Sequence, residues 1–150
     1  MLDLVIRERD RFVWATIPSP EHLGRIRMAA MTDFLADYRS PAAPTRYVAG
    51  ALPDLPFANT SFDLALCSHF LFLYSNDLSL DFHRRSILEL CRVAAEVRIF
   101  PLLDMDGRPS PHVTPLLHDL PRQNLRAAIE RVDYEFQRGG NEMLRLTRTV

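Results

Sequence analysis

Residues 50–69 constrain the fold of this chain more than any other segment. They begin as a proline-rich loop and continue into the nearly unbroken apolar run at 62–67, Phe-Asp-Leu-Ala-Leu-Cys. Such runs are typical of short strands that are buried on both faces of a parallel sheet. Because parallel strands need crossover connections, usually helices, this segment predicts an α/β fold.

Helical patterns lie on both sides of this strand. Ser19 and Pro20 form a helix entry signal, a capping hydroxyl followed by proline at the first helical position, and the helix is predicted to end near Tyr38. The apolar residues expected to be buried on this helix are Leu23, Ile26, Met31, Phe34 and Leu35. A second helix is predicted over residues 78–95.

Shorter elements complete the expected architecture. The predicted strands are 47–49, 96–103, 132–136 and 143–147. Residues 2–14 are predicted as a helix that runs into an extended piece, and 112–120 and 122–130 as helical pieces. The last two strands are expected to form a hairpin across the sequence Gln-Arg-Gly-Gly-Asn at 137–141. This order predicts an open sheet with right-handed crossovers that closes with an antiparallel pair.

Composition argues against several classes of protein. A formal net charge of -1 disfavours a nucleic-acid binder, because such proteins carry a basic excess. No apolar stretch approaches the length of a membrane span and the first residues lack signal-peptide character, so a cytoplasmic protein without membrane contact is expected. Cys67 and Cys91 lie in apolar patterns typical of small buried residues, and no Cys/His spacing indicates a metal site.

Two motifs flank the predicted strand at 62–67. Leu55-Pro56-Phe57 precedes a strand opened by Phe62-Asp63, and Glu89-Leu90-Cys91-Arg92-Val93 ends the next helix. Over residues 46–150 this pattern resembles the class I (Rossmann-like) S-adenosylmethionine-dependent methyltransferases, particularly the type 11 group. The resemblance implies a partial Rossmann-like sheet, with strands corresponding to the third to seventh of that family, flanking helices and a C-terminal antiparallel hairpin. It further implies a single incomplete domain over 1–150, with a helical segment at 1–40 and an α/β part at 45–150.

The glycine-rich turn with which that family holds the methionine part of S-adenosylmethionine has no counterpart. No Gly-x-Gly occurs, and Gly24 is the only glycine in the first forty residues. The sequence therefore predicts a methyltransferase-like protein of unknown acceptor whose central first and second strands are missing, as in a truncated enzyme. The alternative is a non-catalytic module that dimerises or binds a small molecule on a degenerate scaffold.

Missing central strands would leave unpaired backbone groups along the strand at 62–67. Three repairs are possible: the segment at 47–49 pairs with this strand, the N-terminal segment inserts, or a second chain supplies the pairing. A rearranged sheet in a homodimer is favoured, because a flat apolar edge is a template for self-association.

Ser68 and His69 directly follow this strand, and ligands of α/β sheets gather at the carboxyl ends of strands. The resemblance implies that the same position faces cofactor and substrate. His69 is the candidate catalytic residue, since an imidazole can accept a proton from a nucleophile or orient it. Ser68 is a candidate cofactor-binding residue. The alternative for His69 is a histidine that ends the strand by bonding to the backbone.

The remaining candidates lie in loops. The resemblance places Leu52 and Asp54 beside the adenine of the cofactor, while the alternative is a proline-fixed loop that covers the sheet. Asp104, which lies beyond the predicted strand at 96–103, is a candidate for the acceptor site. Tyr74, in the polar loop after the apolar residues 70–73, is a second candidate for lining that site. Asp104 fits an ordinary tight turn at least as well.

Overall fold

The computed structural model describes residues 2–149, which divide into two compact units. The helical unit comprises Met1–Ala49 and Phe136–Arg138, and the α/β unit comprises Gly50–Glu135 and Gly139–Val150. Within residues 2–149, no helix combines the length and the apolar character needed to cross a membrane.

The helical unit is built around one long capped helix. Its elements are α1 (Leu2–Arg7), a 3-10 helix (Arg9–Arg11), α2 (Pro20–Tyr38) and α3 (Ala43–Arg46). The predicted start of α2 is confirmed, since the His22 N–H donates to Ser19 Oγ at 3.1 Å. Phe12 forms a β-bridge with Gln137 and stacks on Phe136 with ring centroids 5.0 Å apart. These contacts place residues 136–138 in this unit.

The predicted burial of α2 is mostly wrong. Leu23 is buried, but the other apolar residues expected in a core are exposed: Ile26, Met31, Phe34 and Leu35. The physical reason lies in the lengths of the helices, since α1 has six residues and α2 has nineteen. A helix of less than two turns cannot cover an apolar stripe of more than five turns.

The predicted strand at 47–49 does not form. The Tyr47 N–H instead donates to the Ala43 carbonyl oxygen at 2.9 Å, which closes α3. The Tyr47 hydroxyl donates to Asp37 Oδ2 at 2.7 Å, at the end of α2. Because its backbone donor is already used within a helical turn, Tyr47 cannot enter a β ladder.

The α/β unit alternates strands and helices and ends in two antiparallel strands. Its elements are β1 (Phe62–Ser68), a 3-10 helix (Phe72–Tyr74), α4 (Leu80–Val93), β2 (Ala94–Phe100), α5 (Val113–Asp119), a 3-10 helix (Leu120–Gln123), β3 (Leu125–Arg131) and β4 (Glu142–Arg148). The strands form a mixed sheet in the order β1-β2-β4-β3. β1 and β2 are parallel, whereas β4 runs antiparallel to both of its neighbours. The prediction of an α/β fold is confirmed at this level.

One face of the sheet carries the hydrophobic core. Ile99 of β2 and Leu144 of β4 are paired in register, and both are fully buried. α4 contributes a buried apolar stripe to the same cluster: Ile87, Leu90 and Cys91. Burial raises the pKa of the Cys91 thiol to about 11 and also raises the pKa of Cys67. Both cysteines are therefore inert core residues, as predicted.

The opposite face carries a charge network at its centre. Arg145 Nη2 on β4 lies 2.7 Å from Glu96 Oε2, and its Nη1 lies 3.3 Å from Glu130 Oε1. Arg98 Nε donates to Glu96 Oε1 at 2.6 Å. Hydrogen bonds from Arg145 and Arg98 hold the pKa of Glu96 at about 2. This face is therefore polar where β2, β3 and β4 adjoin.

β1 lies at one edge of the sheet. The register places Leu64 beside Glu96 and Leu66 beside Arg98, so both leucines project on the face that carries the charges. They are 41% and 69% exposed. The prediction of a strand buried on both faces is therefore wrong. In the described sheet β1 has a strand neighbour on one side, β2, and this explains the exposure.

Residues 125–131 form a strand, although residues 122–130 were predicted as helix and 132–136 as strand. Asn124 adopts a left-handed conformation, with φ of 59°, and ends the preceding 3-10 helix. β3 then begins at once, and residues 132–141 connect it to β4. Leu125, Ala127 and Ile129 recur every second residue, which is the period of a strand. The predicted strand at 143–147 is confirmed within β4.

Candidate functional site

The candidate site lies at the sheet edge where the parallel strands end. Ser68 is the last residue of β1, Phe100 is the last residue of β2, and the two are paired in register. The His69 N–H donates to the Phe100 carbonyl oxygen at 2.7 Å, so the pairing continues beyond β1. His69 has a φ of 54°, in the left-handed region that residues other than glycine rarely adopt. Pairing with β2 thus holds His69 in a conformation with a backbone cost.

Ser68 and His69 are in direct contact. Ser68 Oγ lies 2.7 Å from His69 Nδ1, and both residues are exposed. In the tautomer in which Nδ1 donates to Ser68 Oγ, the imidazole lone pair lies on Nε2. That is the form in which a histidine can accept a proton from a bound nucleophile. The structure therefore brings these two predicted residues together at the strand end.

Two aromatic rings join His69 at this edge. The His69 ring makes an edge contact with Phe100 at a centroid distance of 5.7 Å, and Phe100 makes one with Tyr134 at 6.0 Å. Tyr134 was not predicted as a site residue, because the segment 132–136 was interpreted as a strand. No local pattern marks it: only the observed position of β3, which ends at the same edge as β2, brings Tyr134 to the site.

Tyr74 and Asp104 have local partners. Tyr74 ends a 3-10 helix, is 39% exposed, and its ring lies 6.1 Å from that of Phe70. Asp104 is buried, and its Oδ1 accepts hydrogen bonds from the N–H groups of Asp106 and Arg108, both at 2.9 Å. Asp104 therefore organises the tight turn after β2, which was the alternative interpretation of this residue.

Leu52 and Asp54 lie in the loop that precedes β1. Leu52 is half-buried and packs against the core cluster of the α/β unit. The Asp54 N–H donates to the Ala51 carbonyl oxygen at 3.0 Å, while its carboxylate is exposed and lies 3.6 Å from Arg85 Nη2. This arrangement leaves the Asp54 carboxylate accessible from solvent.

Glu89 and Arg92, near the end of α4, hold this loop in place. Glu89 Oε1 accepts from the Leu55 N–H at 2.7 Å, and Arg92 donates to the carbonyl oxygens of Leu55 at 3.1 Å and Phe57 at 2.8 Å. Glu89 and Arg92 also pair with each other at 2.7 Å. The Arg92 guanidinium holds the pKa of Glu89 at about 2. The Leu-Pro-Phe motif and the Glu-Leu-x-Arg-Val motif are therefore joined directly, which sequence reasoning did not predict.

A cleft of about 330 Å³ lies in the same unit, between the turn after β2 and the adjoining ends of β3 and β4. Its apolar wall includes Leu102, Val113 and Ile129, and its polar wall includes Arg131 and Asn141. Its volume is at the lower end of the range for small-molecule sites. Within residues 2–149, no group of three His, Cys, Asp or Glu residues is placed to hold a metal ion.

Comparison with known proteins finds a relative among curated sequences. The uncharacterized protein MJ0045 of Methanocaldococcus jannaschii is 33% identical over 140 residues, which is 93% of this chain and 60% of the relative. The chain thus spans less than two thirds of the relative's length. No protein-family model matches the chain. No solved structure matches it significantly.

Proposed function

We propose that the α/β unit is part of an S-adenosylmethionine-dependent methyltransferase fold, with the methyl acceptor at the carboxyl edge of its sheet. The observation that carries this proposal is the strand order β1-β2-β4-β3, with one parallel and two antiparallel pairs. In the family that the sequence resembles, the fourth to seventh strands are ordered 4-5-7-6. The observed strands follow that order element by element.

The contact between the two motifs gives independent support. The Leu-Pro-Phe loop and the end of α4 carry the resemblance in sequence, and they are bonded to each other through Glu89 and Arg92. A pattern that matched by chance would not be expected to bring both motifs into one hydrogen-bonded unit. In the proposed fold this clamp fixes the loop that carries Leu52 and Asp54.

The residues present fit only part of a cofactor site. By the resemblance, the loop at 52–55 would face the adenine and Ser68 would face the cofactor beside the acceptor, but the sequence has no Gly-x-Gly turn to hold the methionine part. S-adenosylmethionine supplies an electrophilic methyl group when it is bound. In this proposal His69 orients the acceptor and takes up its proton at Nε2 while Nδ1 is held by Ser68.

The proposal is tested by calorimetric titration of the chain with S-adenosylmethionine and S-adenosylhomocysteine. We expect saturable binding of both ligands, with Asp54→Asn weakening it about tenfold, the equivalent of one hydrogen bond of ~1.4 kcal/mol. Asp81→Asn is the matched control, because Asp81 is an exposed carboxylate in the first turn of α4. Absence of binding up to millimolar ligand would refute cofactor binding by this chain.

A second candidate function, a dimerising module, is favoured by the free edge of β1. The His69 N–H points to β2, and the backbone groups of successive residues in a strand point alternately to the two sides. The N–H and C=O groups of Leu64 and Leu66 therefore point away from β2, toward the edge of the sheet. Antiparallel pairing of two copies about Ala65 would place Leu64 opposite Leu66 of the second copy, with no like charges opposed. We propose this pairing as the homodimer contact.

Light scattering on the purified chain tests this candidate. We expect a particle of twice 17.3 kDa, which Leu66→Lys converts to the monomer. Met105→Lys is the matched control, because Met105 is an exposed apolar residue in the turn after β2, outside the strands. A monomeric parent chain, or equal effects of the two substitutions, would refute pairing through β1.

A further inference from the structure

We propose that His69, Phe100 and Tyr134 form a binding site for a flat, ring-shaped molecule that carries a hydroxyl group. The assignment of this molecule as the methyl acceptor rests on the function proposed above. Its binding does not, because the three rings can bind it without S-adenosylmethionine.

The angles between the rings create the binding surface. Phe100 is inclined at 74° to His69 and at 64° to Tyr134. Each pair of steeply inclined rings forms a corner with two aromatic walls. A flat ring placed in such a corner can stack on one wall and present its edge to the other, which are the two arrangements that aromatic rings prefer. A puckered ring of the same size makes poorer contact with the stacking wall, because its axial C–H groups hold the two rings apart.

The rings at both ends of the cluster are accessible to a ligand. Tyr134 is 45% exposed and His69 is exposed, while Phe100 at the end of β2 is half-buried. Binding a planar apolar surface here would remove aromatic area from water without displacing any core residue. A ligand would therefore bury aromatic surface that the α/β unit leaves exposed to water.

The backbone around Tyr134 is fixed on both sides. The Val132 N–H donates to the Asn141 carbonyl oxygen at 2.9 Å. The Glu135 carboxylate accepts from the Gly139 N–H at 2.7 Å and from Asn141 Nδ2 at 3.3 Å. On the other side of the site, pairing with β2 holds His69. Two of the three rings are thus carried by segments with defined backbone bonds, which lowers the entropic cost of binding.

Polar groups beside His69 explain why the ligand is expected to carry a hydroxyl group. Ser68 Oγ and His69 Nδ1 form a hydrogen-bonded pair beside the ring of Phe100. A ligand hydroxyl at this end would find an imidazole and a serine hydroxyl within the same surface. The chemistry therefore selects a phenol-like molecule over a purely apolar aromatic one.

The test is a pair of probes, phenol and cyclohexanol, titrated separately into isotopically labelled protein without S-adenosylmethionine. Both probes carry one hydroxyl on a six-membered ring, but only phenol is flat. We expect phenol to bind at least about fivefold more tightly, with amide shifts at residues 68–70, 100 and 134. Equal affinities, or shifts that lie elsewhere, would overturn the proposal.

Three substitutions of Tyr134 separate stacking from apolar contact. Tyr134→Phe keeps the ring and should keep phenol affinity within about twofold, whereas Tyr134→Ala should weaken it about 3- to 10-fold. Tyr134→Leu keeps apolar volume without a flat ring and should behave like the alanine variant. Tyr38→Ala, which removes an exposed tyrosine from α2, should leave phenol affinity unchanged. Parent-like affinity in the leucine variant would refute ring stacking even if the alanine variant does not fold.

The two proposals fail in different ways. Phenol binding with no binding of S-adenosylmethionine would leave the aromatic site standing and refute cofactor binding. Binding of S-adenosylmethionine without preference for phenol would refute the aromatic site and leave the proposed function standing.

Discussion

α2 and α4 begin in the same way but reach different environments. Ser19 Oγ caps α2 by accepting from His22, and Ser79 Oγ caps α4 by accepting from Phe82, both at 3.1 Å. α4 has fourteen residues, of which six are buried, whereas α2 has nineteen, of which two are buried. The local signals that start a helix are thus equally strong in both. They carry no information about which apolar residues a neighbour will cover.

The ends of the two helices are also held by different kinds of contact. Near the end of α4, Glu89 and Arg92 bind the backbone of the loop before β1. Near the end of α2, Asp37 accepts from the side chains of Tyr47 and Arg46. At the end of α4, the side chains bond to backbone groups of the loop that would otherwise be unpaired. Loss of these bonds should therefore lower the free energy of unfolding more than loss of the bonds at the end of α2.

Core substitutions should show the largest difference between the helices. Ile87→Ala on α4 removes a fully buried side chain and is expected to lower the free energy of unfolding by about 2–5 kcal/mol. Phe34→Ala on α2 removes a larger but exposed side chain and should change it by less than about 1 kcal/mol. Urea denaturation followed by circular dichroism measures both. Equal losses would mean that α2 is buried in solution as deeply as α4.

The clamp at the end of α4 should make stability depend on pH. The folded-state pKa of Glu89, about 2, lies below its ordinary value of 4.5, so its contribution is complete above pH 4.5 and is lost as the pH falls toward 2. Glu89→Gln should remove about 2 kcal/mol at neutral pH, since it ends a charge-assisted bond to Arg92.

Urea denaturation at several pH values between 7 and 2.5 measures the free energy of unfolding of the parent chain and of Glu89→Gln. Asp37→Asn, at the end of α2, is the matched control. The Glu89→Gln chain should lose less stability on acidification than the parent chain. If the free energy of unfolding fell equally with pH in the parent and the variant, the bonds of ionised Glu89 to Arg92 and Leu55 would not stabilise the fold.

The two serine caps should be worth the same. Ser19→Ala and Ser79→Ala each remove one side-chain acceptor from a helix N-terminus, and each is expected to cost about 1 kcal/mol. Thermal unfolding of the two single variants measures this. A much larger loss for Ser79→Ala would mean that the cap of α4 also supports tertiary packing.

The smallest effect is expected for Ser86, which is fully buried on α4. Its Oγ has no hydrogen-bond partner among residues 2–149. Ser86→Ala should therefore leave stability unchanged or raise it by up to about 1 kcal/mol. Thr32→Ala on α2 is the control, since its hydroxyl is exposed and donates to the Met28 carbonyl oxygen. A loss of more than 1 kcal/mol for Ser86→Ala would indicate a buried water or ligand at this position.

Local chemistry explains which parts of the fold could be predicted. The cap at Ser19 and the apolar run of β1 depend only on residues adjacent in sequence, and the structure confirms both elements. The period of two at Leu125, Ala127 and Ile129 is equally visible, but Arg126 and Ala128 between them are good helix formers, so the sequence pattern also fits a helix. Only the pairing with β4 decides between the two.

The candidate site was less predictable, for a physical reason. Ser68 and His69 are neighbours in sequence, so their contact needed no tertiary information. Tyr134 comes near Phe100 because β3 carries the chain back to the edge where β2 ends. The clamp of Glu89 on Leu55 joins residues that lie thirty-four positions apart. Neither contact is encoded in a local pattern.

One measurement tests the proposed site most directly, and it again compares the two regions. Amide chemical shifts of the labelled chain are recorded while S-adenosylhomocysteine is added to saturation. The proposed function predicts saturable shifts at residues 52–55 and 68–70 of the α/β unit, with α2 unaffected. Shifts confined to α2, or no saturable shift at millimolar ligand, would contradict it.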